Sequence, residues 1–243
     1  MTSKTQPKHV PGSPAWWSNR PEPAGLAPVQ AVGRPQVPFE RMINAALKIV
    51  DESGPEALSM RQLAEHLESG TATLYRHFAS KDEILVHVVD RILGEVDIDT
   101  SRLASLGWQQ VCALGAEALY RVLHAHPNVV PLISAQIPVG PNALANREKA
   151  LAGLLAHGFP PSFAARAYST IMHYVLGFAS QLHATAGLSR TESGQLRDYY
   201  RTLDKSGFPA TVAVADFLPK ISDDDEFRFG LQLIIDGLAR YRE

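Results

Sequence analysis

Between Gly54 and Ile84 the chain stops and restarts helices at intervals too short for anything but a compact helical cluster. Gly54-Pro55 closes a run in which Ile43, Ala46, Leu47 and Val50 recur at helical spacing. Ser59 opens the next helix with Gln62 three residues on, and Ser80 opens a later one with Glu83. In each pair the serine oxygen can accept a first-turn N–H while the longer side chain reaches back, a capping box. Leu63 and Leu67 stripe the first of these helices, and Ile84, Leu85, Val88, Val89 and Ile92 stripe the other. Between them, a break at Glu68 to Gly70 leaves "TATLYRHF" as a helix of about two turns. A helix that short is unstable alone and must be held by packing. Leu74 and Phe78, four apart, supply one apolar face for that purpose.

The opposite face is polar. Two short helices joined by about three residues make a helix-turn-helix, whose second helix can enter a DNA major groove. Thr71, Ala72 and Thr73 are small enough to let the backbone approach. Tyr75, Arg76 and His77 can reach phosphates, and Arg76 can also reach bases. The free amides at the start of the following helix, with Lys81 beside them, form a phosphate site.

Bulk properties narrow the partner without naming it. The net charge of −2 is unevenly spread. Residues 1–38 carry four basic groups against one acidic, residues 39–97 six against eleven, and residues 98–243 thirteen of each. A general basic footprint is missing, so DNA contact must come from a local cluster. A single cysteine, Cys112, excludes an internal disulfide and fits a cytoplasmic protein. No apolar run is long enough to cross a membrane, and the N-terminus lacks a secretory h-region. Nothing points to an enzyme. His124 and His126 diverge on a helix, and the carboxylates of "SDDDE" (222–226) sit at a helix start that favours negative charge. There is no nucleophile elbow, phosphate loop or dinucleotide fingerprint. No cofactor and no metal site is expected.

Residues 1–38 hold eight of the seventeen prolines and read as a disordered, Pro-rich arm. Its "AWW" (15–17) is either incidental or a short docking motif. Residues 39–97 form the helix-turn-helix domain, a three-helix bundle with its linking fourth helix. Residues 98–243 form a larger helical domain, with helices expected near 105–125, 128–136, 142–157, 162–186, 194–203 and 223–241. Thr211 to Leu218 is ambiguous between helix and strand. The fold class is therefore all-α.

"LAEHLESGTATLYRHFASKDEIL" (63–85), preceded by "FERMINAALKIVDESGPEALSMRQLA" (39–64) and by "GRP" (33–35), resembles the DNA-binding segment of the tetracycline-repressor (TetR) family of transcriptional regulators. In the C-terminal half, "GW" (107–108), "HGF" (157–159), "HYVLGF" (173–178) and "FRFGLQLIIDGL" (227–238) resemble its tetracycline-repressor branch. The turn departs from the pattern: where the family has Gly-Val-Ser, this chain has Glu68-Ser69-Gly70. The resemblance implies a homodimeric, ligand-responsive regulator, by default a repressor, on a palindromic operator. It implies a DNA face of Arg34, Ser59, Arg61, Gly70, Thr71, Thr73, Tyr75, Arg76, His77 and Lys81. Within that set, Tyr75, His77 and Lys81 fall on phosphate-contacting positions, and Arg61, the residues from Gly70 to Thr73, and Arg76 on base-reading ones. Arg34 belongs to the arm and is placed for the minor groove. The two helices 162–186 and 223–241 would form the dimer interface, with Gly230 and Gly237 permitting close approach. A small-molecule pocket would draw on Trp108, Cys112, Gln136, Met172, His173 and Phe178. Apolar residues in "PNVVPLIS" (127–134), and Gly115, stand where true tetracycline repressors hold magnesium-tetracycline, so a mostly apolar effector is expected instead. The alternative is a DNA-binding or adaptor protein without a working pocket.

Overall fold

The computed structural model describes residues 9–19, 37–98, 106–182 and 190–241, which contain twelve α-helices and no strand. They fall into two compact units divided after Gly158. The first holds α1 (Pro14–Ser18), α2 (Phe39–Ser53), α3 (Met60–His66), α4 (Thr71–Tyr75), α5 (Lys81–Leu93), α6 (Trp108–Ala125), α7 (Val130–Ser134) and α8 (Pro141–Ala156). The second holds α9 (Pro161–Leu182), α10 (Arg190–Thr202), α11 (Pro209–Val214) and α12 (Asp223–Ala239). The ambiguous stretch 211–218 is thus the end of a short helix followed by a turn. The first unit extends past residue 97 and takes in α6, α7 and α8.

α2 buries Met42, Ile43, Ala46, Leu47, Ile49 and Val50, and packs chiefly against α5. It ends at Gly54, whose φ of +80° only glycine adopts freely. Its open carbonyls do not face water alone. The Asn128 amide donates to the carbonyls of Val50 (3.1 Å) and Asp51 (2.8 Å). The neighbouring His126 ring lies between two carboxylates, with Nδ1 2.9 Å from Asp51 and Nε2 3.0 Å from Glu95. Glu95 in turn accepts from Arg91 at 2.9 Å. The segment between α6 and α7 therefore holds the ends of both α2 and α5.

α5 is the hub of this unit, touching α2, α6, α7 and α8. Asp90 is buried on it and accepts from the backbone amides of Asn142 (3.1 Å) and Ala143 (3.2 Å), capping the start of α8. Burial pushes the Asp90 carboxyl above its ordinary range, and those hydrogen bonds partly offset the shift. The Asn146 amide donates to the Leu93 carbonyl at 2.7 Å.

The N-terminal arm differs from expectation within residues 9–19. Ser13 caps a helical turn by accepting from the Trp16 amide at 3.2 Å, and Trp16 is buried. Composition marked this stretch as disordered because its prolines are dense. Yet Pro14 sits in the first turn of α1, where a missing N–H costs nothing.

In the second unit α9 packs on α12. Tyr174 and Phe178 meet Phe227 with ring centroids 5.5 Å away, and the Tyr174 hydroxyl donates to the Phe227 carbonyl at 2.9 Å. A Cβ at Gly230 would meet the Tyr174 hydroxyl, so this glycine permits α9 and α12 of one chain to approach closely; nothing lies within 4 Å of one built at Gly237. The buried stripe of α12 is Phe227, Leu231 and Ile235; Phe229 (67% exposed) and Leu233 (57%) face outward.

Candidate nucleic-acid interface

The motif read from sequence closes as two short helices, α3 and α4, the second with opposed faces. Leu74 is fully buried and Phe78 nearly so, which fixes α4 against α3 and the core. Burying each such side chain contributes roughly 1.5–3 kcal/mol. The other side of α4 carries exposed Thr71, Ala72, Tyr75 and Arg76, with Thr73 and His77 half-buried at its edges. Tyr75 is 58% exposed, too open for a packing residue. Arg76 Nη2 lies 3.5 Å from Thr73 Oγ1, so the guanidinium folds back along the helix.

Arg61 stands exposed on the first turn of α3, its Nε donating to Glu65 at 2.9 Å. Ser59 is exposed, but its hydroxyl already accepts from the Gln62 amide at 3.1 Å, so capping is its local work. Ser80 likewise accepts from Glu83 at 3.4 Å. The return half of that box shifts by one residue: Glu83 Oε2 accepts from the Ala79 amide at 2.8 Å. Lys81, at the first position of α5, sits 3.5 Å from the Glu56 carbonyl and 3.6 Å from its carboxylate. That tether aims the ammonium without neutralising it, because Glu56 is almost fully exposed. Burial, and next the neighbouring Arg76, hold the His77 ring below its ordinary pKa. Arg34 lies outside the described residues.

The turn explains its unusual sequence. Glu68 takes the left-handed conformation, with φ of +52°, at the place where the family sequence has glycine. Ser69 occupies the position of the apolar anchor, and its hydroxyl is buried without a hydrogen-bond partner. Gly70 is the N-cap of α4 with extended backbone and open space around it. A non-glycine residue in the left-handed conformation costs about 1–2 kcal/mol in strain.

The residues expected to line a ligand pocket are spread over both units. Trp108, Cys112 and Gln136 belong to the first unit, and Met172, His173 and Phe178 to the second. Trp108 is buried core. Cys112 is shielded, and burial pushes its thiol up to about 11. Gln136 packs against Gly12 of the N-terminal segment. Met172 is half-buried, His173 is exposed on α9, and Phe178 packs in the aromatic cluster on Phe227.

Comparison with known proteins agrees with this geometry. Residues 42–88 match the family described as bacterial regulatory proteins, tetR family, and residues 104–242 match the tetracyclin repressor-like C-terminal domain. An HTH-type transcriptional regulator of Saccharopolyspora erythraea is 34% identical over 74% of this chain and 73% of its own. The HTH-type transcriptional repressor DrrR1 of Streptomyces coeruleorubidus is 30% identical over 84% of this chain and 78% of its own. The crystal structure of Streptomyces coelicolor ActR in complex with actinorhodin superposes with a TM-score of 0.72, at 30% identity, over 85% of this chain and 98% of that one. With both parts of the chain matched, and the helix-turn-helix in place, the protein belongs to the TetR family of transcriptional regulators.

Proposed function

We propose that the protein represses transcription as a homodimer, each α4 entering one half-site of a palindromic operator, and that a small, mostly apolar molecule releases it. The observation that carries this reading is the exposed α4 face of Thr71, Tyr75 and Arg76, opposite buried Leu74 and Phe78 and beside Lys81. Arg61 and the residues from Gly70 to Thr73, with Arg76, read bases; Tyr75, His77 and Lys81 hold phosphates. The second subunit covers the apolar side of α12, where Phe229 and Leu233 are exposed. An organic effector is supported by the actinorhodin bound to ActR. The ligand acts by population shift: it favours an arrangement of α5 in which the two recognition helices no longer match the half-site spacing.

The test is fluorescence anisotropy on DNA from upstream of the protein's own gene, with random DNA as competitor. Saturable binding that survives the competitor supports a specific regulator and provides the assay for effectors. Binding that random DNA removes equally well overturns it.

A further inference from the structure

The N-terminal segment 9–19 lies well before the helix-turn-helix in sequence, yet it is docked against α5. Trp16 and Trp17 form an edge-to-face pair at 4.9 Å, and both rings contact His87 of α5, at 5.6 and 5.2 Å. Phe39 of α2 closes on the same His87 ring at 5.1 Å. Trp16 also makes a specific polar contact: its Nε1 donates to Glu83 Oε1 at 3.3 Å. The other oxygen of that carboxylate accepts from Ala79, and the Glu83 amide donates to Ser80. One carboxylate is thus shared between the indole and the loop that begins α5, next to Lys81.

The far end of the segment is fitted as closely. Gly12 is buried with φ of +83°, and a Cβ there would collide with the Gln136 side chain. A Cβ at Gly140 would meet the Asp90 carboxylate and lie 2.9 Å from the Trp17 ring. The segment therefore seats in a cleft between α5 and the 136–140 loop, made for it by two glycines.

We infer that residues 9–19 are a strap that positions the phosphate-gripping start of α5, with Trp16 acting through Glu83. The inference rests on the DNA-binding reading above. The strap touches neither α4 nor any base-reading residue among its described contacts. Its loss therefore weakens the grip on every sequence alike and leaves discrimination between sequences intact.

The experiment compares the full-length protein with W16A/W17A and with W16F/W17F. In the free protein, amide exchange at Ala79 is expected to accelerate at least about tenfold in the alanine pair, since the carboxylate that accepts from it is no longer held by the indole. On DNA, that pair is expected to bind both operator and random sequence roughly tenfold more weakly. The slope of log affinity against log salt should fall by about 0.9, one phosphate contact. The phenylalanine pair, which keeps the rings and loses the N–H, should restore packing without restoring the slope. Gly12→Val displaces the strap from its other end with the aromatic rings intact and should reproduce the alanine pair, which covers a folding failure of the latter. Unchanged exchange at Ala79, or unchanged affinity and slope in a protein that binds operator, overturns the strap. A parent protein that never binds DNA specifically overturns the functional reading instead, and the exchange result still decides the strap.

Discussion

The helix-turn-helix and the C-terminal unit are built by opposite means. In the first, α3 and α4 are seven and five residues long, and each is fixed by a cap, a buried anchor or both. In the second, α9 and α12 run for 22 and 17 residues, and their stability comes from packing against one another. Short elements put their functional side chains where local signals dictate. Long ones leave several faces open and acquire function from what covers them. The exposed face of α4 is consequently set within a single chain, while Phe229 and Leu233 on α12 are left exposed there, on the side that the proposed second copy would cover.

The sharpest way to break that contrast is to charge the α12 face. Phe229→Glu with Leu233→Glu should yield a monomer by analytical ultracentrifugation and weaken operator binding by about 100-fold or more, because the two half-sites are no longer linked. The monomer's helical content by circular dichroism should hold, both side chains being exposed. A variant that stays dimeric would place the interface elsewhere.

Substitutions on the DNA face come next in size. Arg61→Ala should weaken operator binding roughly tenfold and relax specificity at one position. Lys81→Ala and Tyr75→Ala should weaken operator and random DNA alike, with Lys81→Ala reducing the salt slope by about one. If all three bind like the parent, the face is wrongly assigned.

A smaller effect tests the turn. Glu68→Gly should raise stability by about 1 kcal/mol in thermal unfolding by relieving the left-handed backbone. Ser69→Val should add about 1–3 kcal/mol by replacing a buried, unpartnered hydroxyl. A loss of stability in either would show that the turn is relaxed as it stands.

The smallest effect is a pH dependence. The folded His77 ring is held below its ordinary pKa, so its contribution to stability is present above about pH 6.5 and is lost as pH falls through the lowered folded value. A DNA phosphate favours the protonated ring, so affinity should rise as pH falls below about 6.5. His77→Gln should flatten that rise in an anisotropy titration.

Sequence reading succeeded where a physical signal was local. The serine caps of α3 and α5, the Leu74 and Phe78 anchors, and the small and polar face of α4 all lie within a turn or two of what determines them. It failed where the determinant was distant. The Trp16–Glu83 contact spans 67 residues, and a proline-dense composition hid the helical turn that presents the indole. Gly12 of that segment packs against Gln136, and no spacing rule connects the two. The left-handed Glu68 was legible only as a displaced glycine; its backbone angle supplies the reason the displacement matters. Whether the six ligand candidates share a pocket is a question of packing between helices, on which single-residue properties are silent.

The Asn128 amide that closes the carbonyl end of α2 has a further consequence. A helix terminus ordinarily opens and closes many times before its protein unfolds. Here the last turn of α2 is hydrogen-bonded to the segment after α6, with His126 joined to Asp51 and Glu95 beside it. The end of α2 cannot fray without that segment letting go as well. The two stretches, over 70 residues apart in the chain, should open as one cooperative unit. A disturbance in the linker between α6 and α7 would then register at the C-terminus of the helix that supports the DNA-reading motif.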